Sequence, residues 1–297
     1  MRWRTQQLVA LVLAGVSVVS GVGCFDFGSV SNGPPDGGSD ATSAIDASSD
    51  GGGGTIDGAA GGYCASLTPA PTFCDDFDEP GAQGEWDQII QATGCSVSVD
   101  TAMPFAGSGS LLAQTPMSVM GDILEADALK QFMTFQGKAI KISASFEMNV
   151  ETWDPSSSGQ IIAFEIIFKN SPMTFNQIVM NLNSLGSGAG VTAQIAENAQ
   201  GADGGEAGYN SYPFANHPPT GMWTKVEVDL VVASPMSATS NEISVTIGGV
   251  PQLTQQALGV PLQGGPPYAH LGIGYVSAPG GAWKVEYDNF VVDVSTL

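Results

Sequence analysis

Arginine is the first thing this chain lacks. Its 297 residues hold two, Arg2 and Arg4, and both precede the apolar run that opens the protein. Beyond them six lysines stand against 29 acidic residues, a balance of −23, and charged side chains make up only 12% of the whole. Nucleic acid is thereby disfavoured as a partner, because affinity for a phosphate backbone comes largely from Lys and Arg displacing counterions. The guanidinium fork that clamps phosphate or carboxylate is missing too. Histidine is almost absent, with His217 and His270 alone, and there is no His-x-x-x-His, Cys-x-x-Cys or Gly-x-Ser-x-Gly. A zinc centre or a serine hydrolase therefore lacks its parts. Amphipathic helices of ordinary length are lacking as well; the one stretch with a helical reading is Asp122 to Phe132.

What is present begins with an address. Met1-Arg-Trp-Arg is a positive segment, and the apolar run from Leu8 to Val22 is short for a bilayer span, so residues 1–23 read as a secretion signal. The run ends Gly21-Val22-Gly23-Cys24, which resembles a bacterial lipobox except that Gly21 replaces the usual leucine-like residue. Cys24 is the expected lipidation site, placing the protein at the bacterial cell envelope, periplasmic or outer-surface side, held by a lipid alone. Through residue 62 the chain is then mostly Gly, Ser, Ala and Asp, carrying Asp36, Asp40, Asp46, Asp50 and Asp57 without one base. Such a segment buries too little to offset its ordering entropy and reads as an extended acidic linker.

Residues 63–297 read as one all-β domain. In Thr224-Lys-Val-Glu-Val-Asp-Leu-Val-Val232, Val226, Val228, Leu230 and Val232 fall on one side and Lys225, Glu227 and Asp229 on the other. Ile243, Val245 and Ile247 repeat the period, and Gly248-Gly249 supplies a tight hairpin turn. Lys138 to Val150 alternates over its whole length, whereas Gln160 to Phe168 is apolar on both sides, as a covered central strand would be. Strands at this spacing, with Gly/Pro/Asn turns between, predict a two-sheet antiparallel sandwich.

Three cysteines remain in the exported domain, so one is left over. Phe73 and Phe77 share a side and are expected to face the core, turning Cys74 outward toward the arm that carries Cys64. The expected bridge is Cys64–Cys74 with a buried Cys95 thiol; Cys74–Cys95 is the alternative.

Three places carry a resemblance to the concanavalin A-like lectin/glucanase superfamily, and among its members to laminin-G-type and pentraxin-like jelly rolls. They are Phe73-Cys-Asp-Asp-Phe-Asp-Glu-Pro with Trp86, Gly221-Met-Trp-Thr-Lys-Val-Glu-Val, and Val285-Glu-Tyr-Asp-Asn-Phe-Val-Val. The resemblance implies a jelly-roll sandwich whose first and last strands pair, often with a structural calcium nearby. Carried over by motif, its ligands would be carbonyls of Asp76 and Gly107 and the carboxylate of Asp288, a donor set that suits calcium. Glucanases of this fold set their carboxylates as Glu-x-Asp-x-x-Glu along one strand, so that alternate side chains face the sugar. Glu227-Val-Asp229 has the first half only, with Val231 and Val232 where the second glutamate belongs, and Glu125-Ala-Asp127 runs into Lys130. No catalytic residue is assigned.

The reading is a lipid-anchored head that binds carbohydrate or an envelope protein without catalysis. A glycan hydrolase or lyase is the alternative, with Glu165, Glu227 and Asp229 the first residues to test, and a purely structural adhesion module is a third. Sugars stack on exposed rings, so Trp153, Tyr209, Tyr212 and His217, all expected in loops, are the ligand-binding candidates. His270, inside a strand pattern, is expected to be a satisfied structural histidine.

Overall fold

The computed structural model describes residues 62–297 except 80–81, 120–121, 123, 134, 136, 155, 157, 172–173, 187–190, 201–205, 234–240, 261, 263–264 and 277–278. The signal, Cys24 and the linker up to residue 61 lie outside the described residues. Among those described, helix is confined to short turns such as Tyr63–Ser66.

Fifteen strands follow: β1 Phe73–Asp75, β2 Gln88–Gln91, β3 Ser96–Asp100, β4 Ser110–Thr115, β5 Ala126–Gln131, β6 Ile140–Trp153, β7 Ser158–Ser171 and β8 Thr174–Leu185. The chain continues through β9 Val191–Gln200, β10 Glu206–Pro213, β11 Thr224–Val232, β12 Glu242–Ile247, β13 Val250–Ala257, β14 Pro267–Val276 and β15 Trp283–Thr296. They form two antiparallel sheets. The first runs β13-β12-β11-β6-β15-β4-β3, with β1 pairing the far part of β15; the second runs β10-β9-β8-β7-β14-β5-β2. The first and last strands do pair, Phe73 opposite Val292 and Asp75 opposite Phe290. The chain is an all-β jelly-roll sandwich.

Alternation decides which side chains fill the space between the sheets. On β11, Val226, Val228, Leu230 and Val232 are buried in the core, as their period of two requires, and on β6 the same holds from Ile140 through Met148. Phe146 lies at the centre, 5.1 Å from Phe164 across the sheets, 5.9 Å from Tyr287 and 6.1 Å from Phe290, centroid to centroid. At one end Phe73, Phe77, Trp86 and Phe290 form a second aromatic group, held by Trp86 Nε1–H donating to Asp75 Oδ2 at 2.7 Å.

Several expectations change. The stretch from Asp122 to Phe132 is not helical: it supplies β5, whose Ala126 and Ala128 face the core while Asp127 and Leu129 face the other way. Its helix-favouring residues yield to pairing with β14 on one side and β2 on the other. Cys64 and Cys74 form the expected bridge, and Cys74 stands outside the core cluster that Phe73 and Phe77 join, turned toward Cys64. Cys95 is free and only half-buried.

Candidate functional site

The second sheet carries a buried ionisable residue on each of three neighbouring strands. Asp127 on β5, His270 on β14 and Glu165 on β7 lie between buried neighbours, and parity turns all three away from the core. Cross-strand register then aligns the outer face into rows. One row reads Gln88, Leu129, His270, Glu165, Val179, Ala196 and Ser211. A second reads Gln131, Tyr268, Ile167, Gln177, Asn198 and Tyr209. A third holds Tyr275, Ile162, Asn181 and Gln194. An acid–imidazole cluster thus sits at one end of the face and a platform of side-chain amides at the other.

Local backbone irregularity makes room for the cluster. β7 bulges between Ile162 and Phe164, and β14 bulges alongside it between Leu271 and Tyr275. Bulges re-aim side chains, and these two lie next to each other. The hydroxyl of Tyr287, reaching from the other sheet through the core, lies 2.7 Å from the Ala163 carbonyl and 2.9 Å from that of Gly272, so it clamps both bulges from behind. Gly272 has φ +132°, and a Cβ there would lie 2.6 Å from Asp127 Cα. A Cβ on Gly274 would lie 3.6 Å from Asp127 Oδ2 and 3.7 Å from Glu165 Oε2, so the two carboxyl groups border one glycine.

His270 is 3% exposed, Glu165 6% and Asp127 fully buried. Nδ1 of His270 lies 2.7 Å from Asp127 Oδ2. Nε2 of His270 and Oδ1 of Asp127 have no hydrogen-bonding partner among the described residues. His270 is therefore satisfied at one ring nitrogen and not at the other. Burial alone would lower its pKa, but the charge and hydrogen bond of Asp127, with Glu165 and Glu125, lift it above the ordinary value. Burial pushes the Glu165 carboxyl up to about 7; Asp127 pushes the same way, while His270 and Lys169 oppose. Glu125 is pushed up to about 8, again chiefly by burial and then by Asp127. The Lys169 pKa is lowered by burial against the pull of Glu165 and Glu125, and its ammonium stands 5.0 Å over the Tyr268 ring. Groups held near neutrality beside an unpartnered imidazole are equipped to exchange protons.

The residues expected from the sequence scatter. Tyr209 lies on this outer face, 49% exposed, at the end of the second row. Tyr212 is on β10 rather than in a loop and turns toward the core, where its hydroxyl donates to Glu197 Oε1 at 2.6 Å. Trp153 ends strand β6 rather than sitting in a loop, half-buried against the core. His217 is exposed, with Nδ1 3.0 Å from the Pro218 carbonyl oxygen. Glu165 belongs to the cluster, but Glu227 and Asp229 lie on the other sheet, bound to Lys225 at 2.7 Å and Lys141 at 3.0 Å. Asp127 and His270 were missed as site residues. Their signal in the sequence is one ionisable group flanked on both sides by apolar residues of a strand, Ala126 and Ala128 for Asp127, Ala269 and Leu271 for His270.

Segments 76–78, 105–109 and 288–289 meet where β1 joins β15. Asp288 Oδ2 accepts from the backbone N–H groups of Phe105 and Ala106 at 2.9 and 3.0 Å, and Oδ1 from that of Asn289 at 2.7 Å. Burial pushes its carboxyl up to about 7 against those three donors, with Asp78 adding. Asp78 accepts from Ser108 and Gly109 and packs against Gly107 at φ +65°. The Asp76 carboxylate instead accepts from the Cys64 N–H at 3.1 Å. Asn289 Oδ1 is buried without a hydrogen-bonding partner among the described residues. Among the described residues no group of three or more His, Cys, Asp or Glu is arranged to hold a metal ion.

No protein-family model and no curated protein matches this sequence. Solved structures do. An endo-β-1,4-glucuronan lyase from the fungus Trichoderma reesei superposes with a TM-score of 0.53 at 14% identity, over 75% of this chain and 95% of that one. The two chains share a fold. A cellulose-induced protein, Cip1, gives a TM-score of 0.44 at 15% identity over 76% of this chain and 97% of its own. A polysaccharide lyase of family 18 gives 0.39 at 11% identity over 68% and 95%. At such identities the likeness to the glucuronan lyase concerns architecture alone.

Proposed function

We propose that this jelly-roll head binds a glycan on the outer face of its second sheet. The observation that carries the reading is the outer-face run of half-buried amides, Gln177, Gln194 and Asn198, that leads in register from the buried His270–Asp127–Glu165 cluster to exposed Tyr209. Convergent polar groups among apolar neighbours are what a sugar site requires. The full chain on a glycan array should retain at least one glycan, and Gln177→Ala and Tyr209→Ala should lose it while Asp229→Asn keeps it. Retention indifferent to both changes removes this face from the argument. Trp153→Ala and Tyr212→Ala should matter little, since one ring packs on the core and the other hydroxyl is already engaged.

A second reading, an acid–base enzyme at the same place, is favoured by one observation: two carboxyl groups held near neutral pKa beside an imidazole oriented by Asp127. Nε2 of His270 would take or give the proton, and Glu165 would serve as its counterpart. Glycan turnover abolished in His270→Asn with binding retained would establish it.

The proposal includes the tether and the ion. Lipidation at Cys24 would hang the head from the cell envelope on its acidic linker; labelled palmitate failing to enter the protein removes this. A calcium would be held by carbonyls of Asp76 and Gly107 with the carboxylate of Asp288, and its contribution would be to fix β1 against β15.

A further inference from the structure

The first sheet exposes large apolar side chains in loops that carry no acid. Met103, Phe105 and Met222 are 53%, 47% and 61% exposed. With Trp223 they form one patch: the Phe105 and Trp223 ring centroids lie 6.0 Å apart, and Trp223 Nε1–H donates to the Met103 carbonyl at 3.2 Å. The turn that leads to exposed Val250 packs alongside, its Gly248 N–H donating to the Lys225 carbonyl at 2.8 Å. In a chain of 29 acids, residues 101–109, 218–224 and 248–257 hold no Asp, Glu, Lys or Arg. The exposure is built in, because Asp288 Oδ2 accepts from the Phe105 and Ala106 N–H groups and pins the loop backbone while its long side chains stay in solvent. Trp223, one residue ahead of β11, shares the outward parity of Lys225 and Glu227, so the patch lies on the side away from the second sheet.

Size and position together indicate what covers it. Half-exposed side chains of this kind offer roughly 300 Å², well short of the ~800 Å² that each partner contributes to a stable protein interface. A lipid surface asks for less, since a few aromatic and aliphatic side chains at headgroup level suffice. The connection toward Cys24 leaves the domain on this side. A Cβ on Gly62 would meet Asp76 Oδ2 at 2.6 Å, and the next residue, Tyr63, is among the neighbours that raise the Lys225 pKa, after the larger effect of its hydrogen bond to Glu227. An anchor attached there would hold the patch at high local concentration over a bilayer, which makes a weak contact sufficient.

We propose that Met103, Phe105, Met222 and Trp223 dock the head on a lipid surface with zwitterionic headgroups. Burial of apolar area drives the contact, because the acidic chain is repelled by an anionic surface. The first sheet then faces the membrane, and the outer face of the second is turned away from it, open to a glycan. The proposal rests on the lipid-tether reading for its local concentration, and the contact itself is tested separately.

The test is tryptophan fluorescence of the full chain on phosphatidylcholine vesicles whose acyl chains carry bromine, a contact quencher. Wild type should be quenched, and Trp223→Phe should remove the Trp223 part of that quenching, whatever else holds the chain to the vesicle. Met222→Ser combined with Phe105→Ser keeps Trp223 as reporter and should lower its quenching about tenfold, with Met222→Ser alone acting in the same direction. Raising salt from about 0.1 M to 1 M should change nothing, since apolar burial is not screened. Quenching of Trp223 that persists in Cys24→Ser supports docking independently of the anchor. A chain retained on the vesicles with Trp223 unquenched overturns the docking and leaves the tether standing. Loss of quenching in high salt overturns it too. So does a dimer, seen by sedimentation without vesicles, that the two serine changes dissociate, because the patch would then belong to a second copy.

Discussion

Replacing Glu165 with glutamine should flatten the dependence of folding stability on pH. Its carboxyl has an ordinary pKa of 4.5 and is pushed up to about 7 in the folded chain, mainly by burial, with Asp127 adding and His270 and Lys169 opposing. The folded state therefore keeps this proton over a range in which the unfolded chain has released it. Stability from this group is fully present below the unfolded value and is lost as pH rises through the folded one. The shift corresponds to about 3 kcal/mol in the limit, and to about 2 kcal/mol between pH 5 and pH 8, because a pKa unit is worth about 1.4 kcal/mol. For a domain of this size that is a difference in Tm of roughly 4–8 °C. His270, Glu125 and Asp288 are also raised, so the wild type should lose still more stability across the same range. Comparing wild type with Glu165→Gln isolates one group. The assay is thermal or urea unfolding at pH 5, 6, 7 and 8, and the variant should show the shallower slope, with its gain appearing at the alkaline end. Parallel slopes would mean that Glu165 ionises as freely in the fold as in water, and the buried cluster would not have the character described.

Other outcomes follow from the same geometry. Gly272→Ala should destabilise by more than about 2 kcal/mol in urea unfolding, because the added Cβ meets the Asp127 backbone and φ is positive there. Tyr287→Phe, which leaves two buried carbonyls without their shared donor, should cost about 1–3 kcal/mol and should also move the His270 titration seen by NMR, a readout that simple core loosening would not give. Removing the Cys64–Cys74 bridge by a double change to serine should cost about 2–3 kcal/mol, since it closes a short loop. Adding calcium should raise Tm and a chelator should lower it; no change in either direction removes the proposed ion.

Much of this architecture was written in local alternation. β11, β12 and β6 announce themselves by a period of two, and the glycine pair at 248–249 announces its turn, because one face of each strand is core and the other is not. β5 was harder to read. Glu125-Ala-Asp-Ala-Leu-Lys-Gln131 has helix-favouring composition, and only its partners β14 and β2, distant in the chain, impose the extended form. The candidate site was hidden for the same reason. Asp127, Glu165 and His270 share a neighbourhood only because β5, β14 and β7 are adjacent, an order that no spacing in the sequence records. The loop placement of the tyrosines failed differently: aromatic residues near glycine and asparagine looked like loop tips, whereas β10 is a strand whose parity sends Tyr209 outward and Tyr212 toward the core.

The cluster is hard to account for as scaffolding. A sheet built for stability alone would carry Val, Ile or Leu at the three positions, as its neighbours Val179 and Ile167 do, since a buried charged group lowers stability unless fully matched. Here the match is incomplete, the paired bulges interrupt two ladders at one level, and a tyrosine from the opposite sheet is committed to holding them. Each feature costs stability, and all of them meet at one place on one face. Concentrated local cost of this kind is the mark of a site kept for what it binds. Satisfied buried acids elsewhere supply the contrast. Glu197 is equally buried yet accepts from Asn210, Tyr212, Gly259 and Val260, which leaves its carboxylate fully occupied as a structural clamp between β9, β10 and the segment after β13. Comparing the two carboxylates by substitution should therefore separate the roles: Glu197→Gln should lower Tm without altering glycan binding, and Glu165→Gln should alter binding while raising Tm above pH 7.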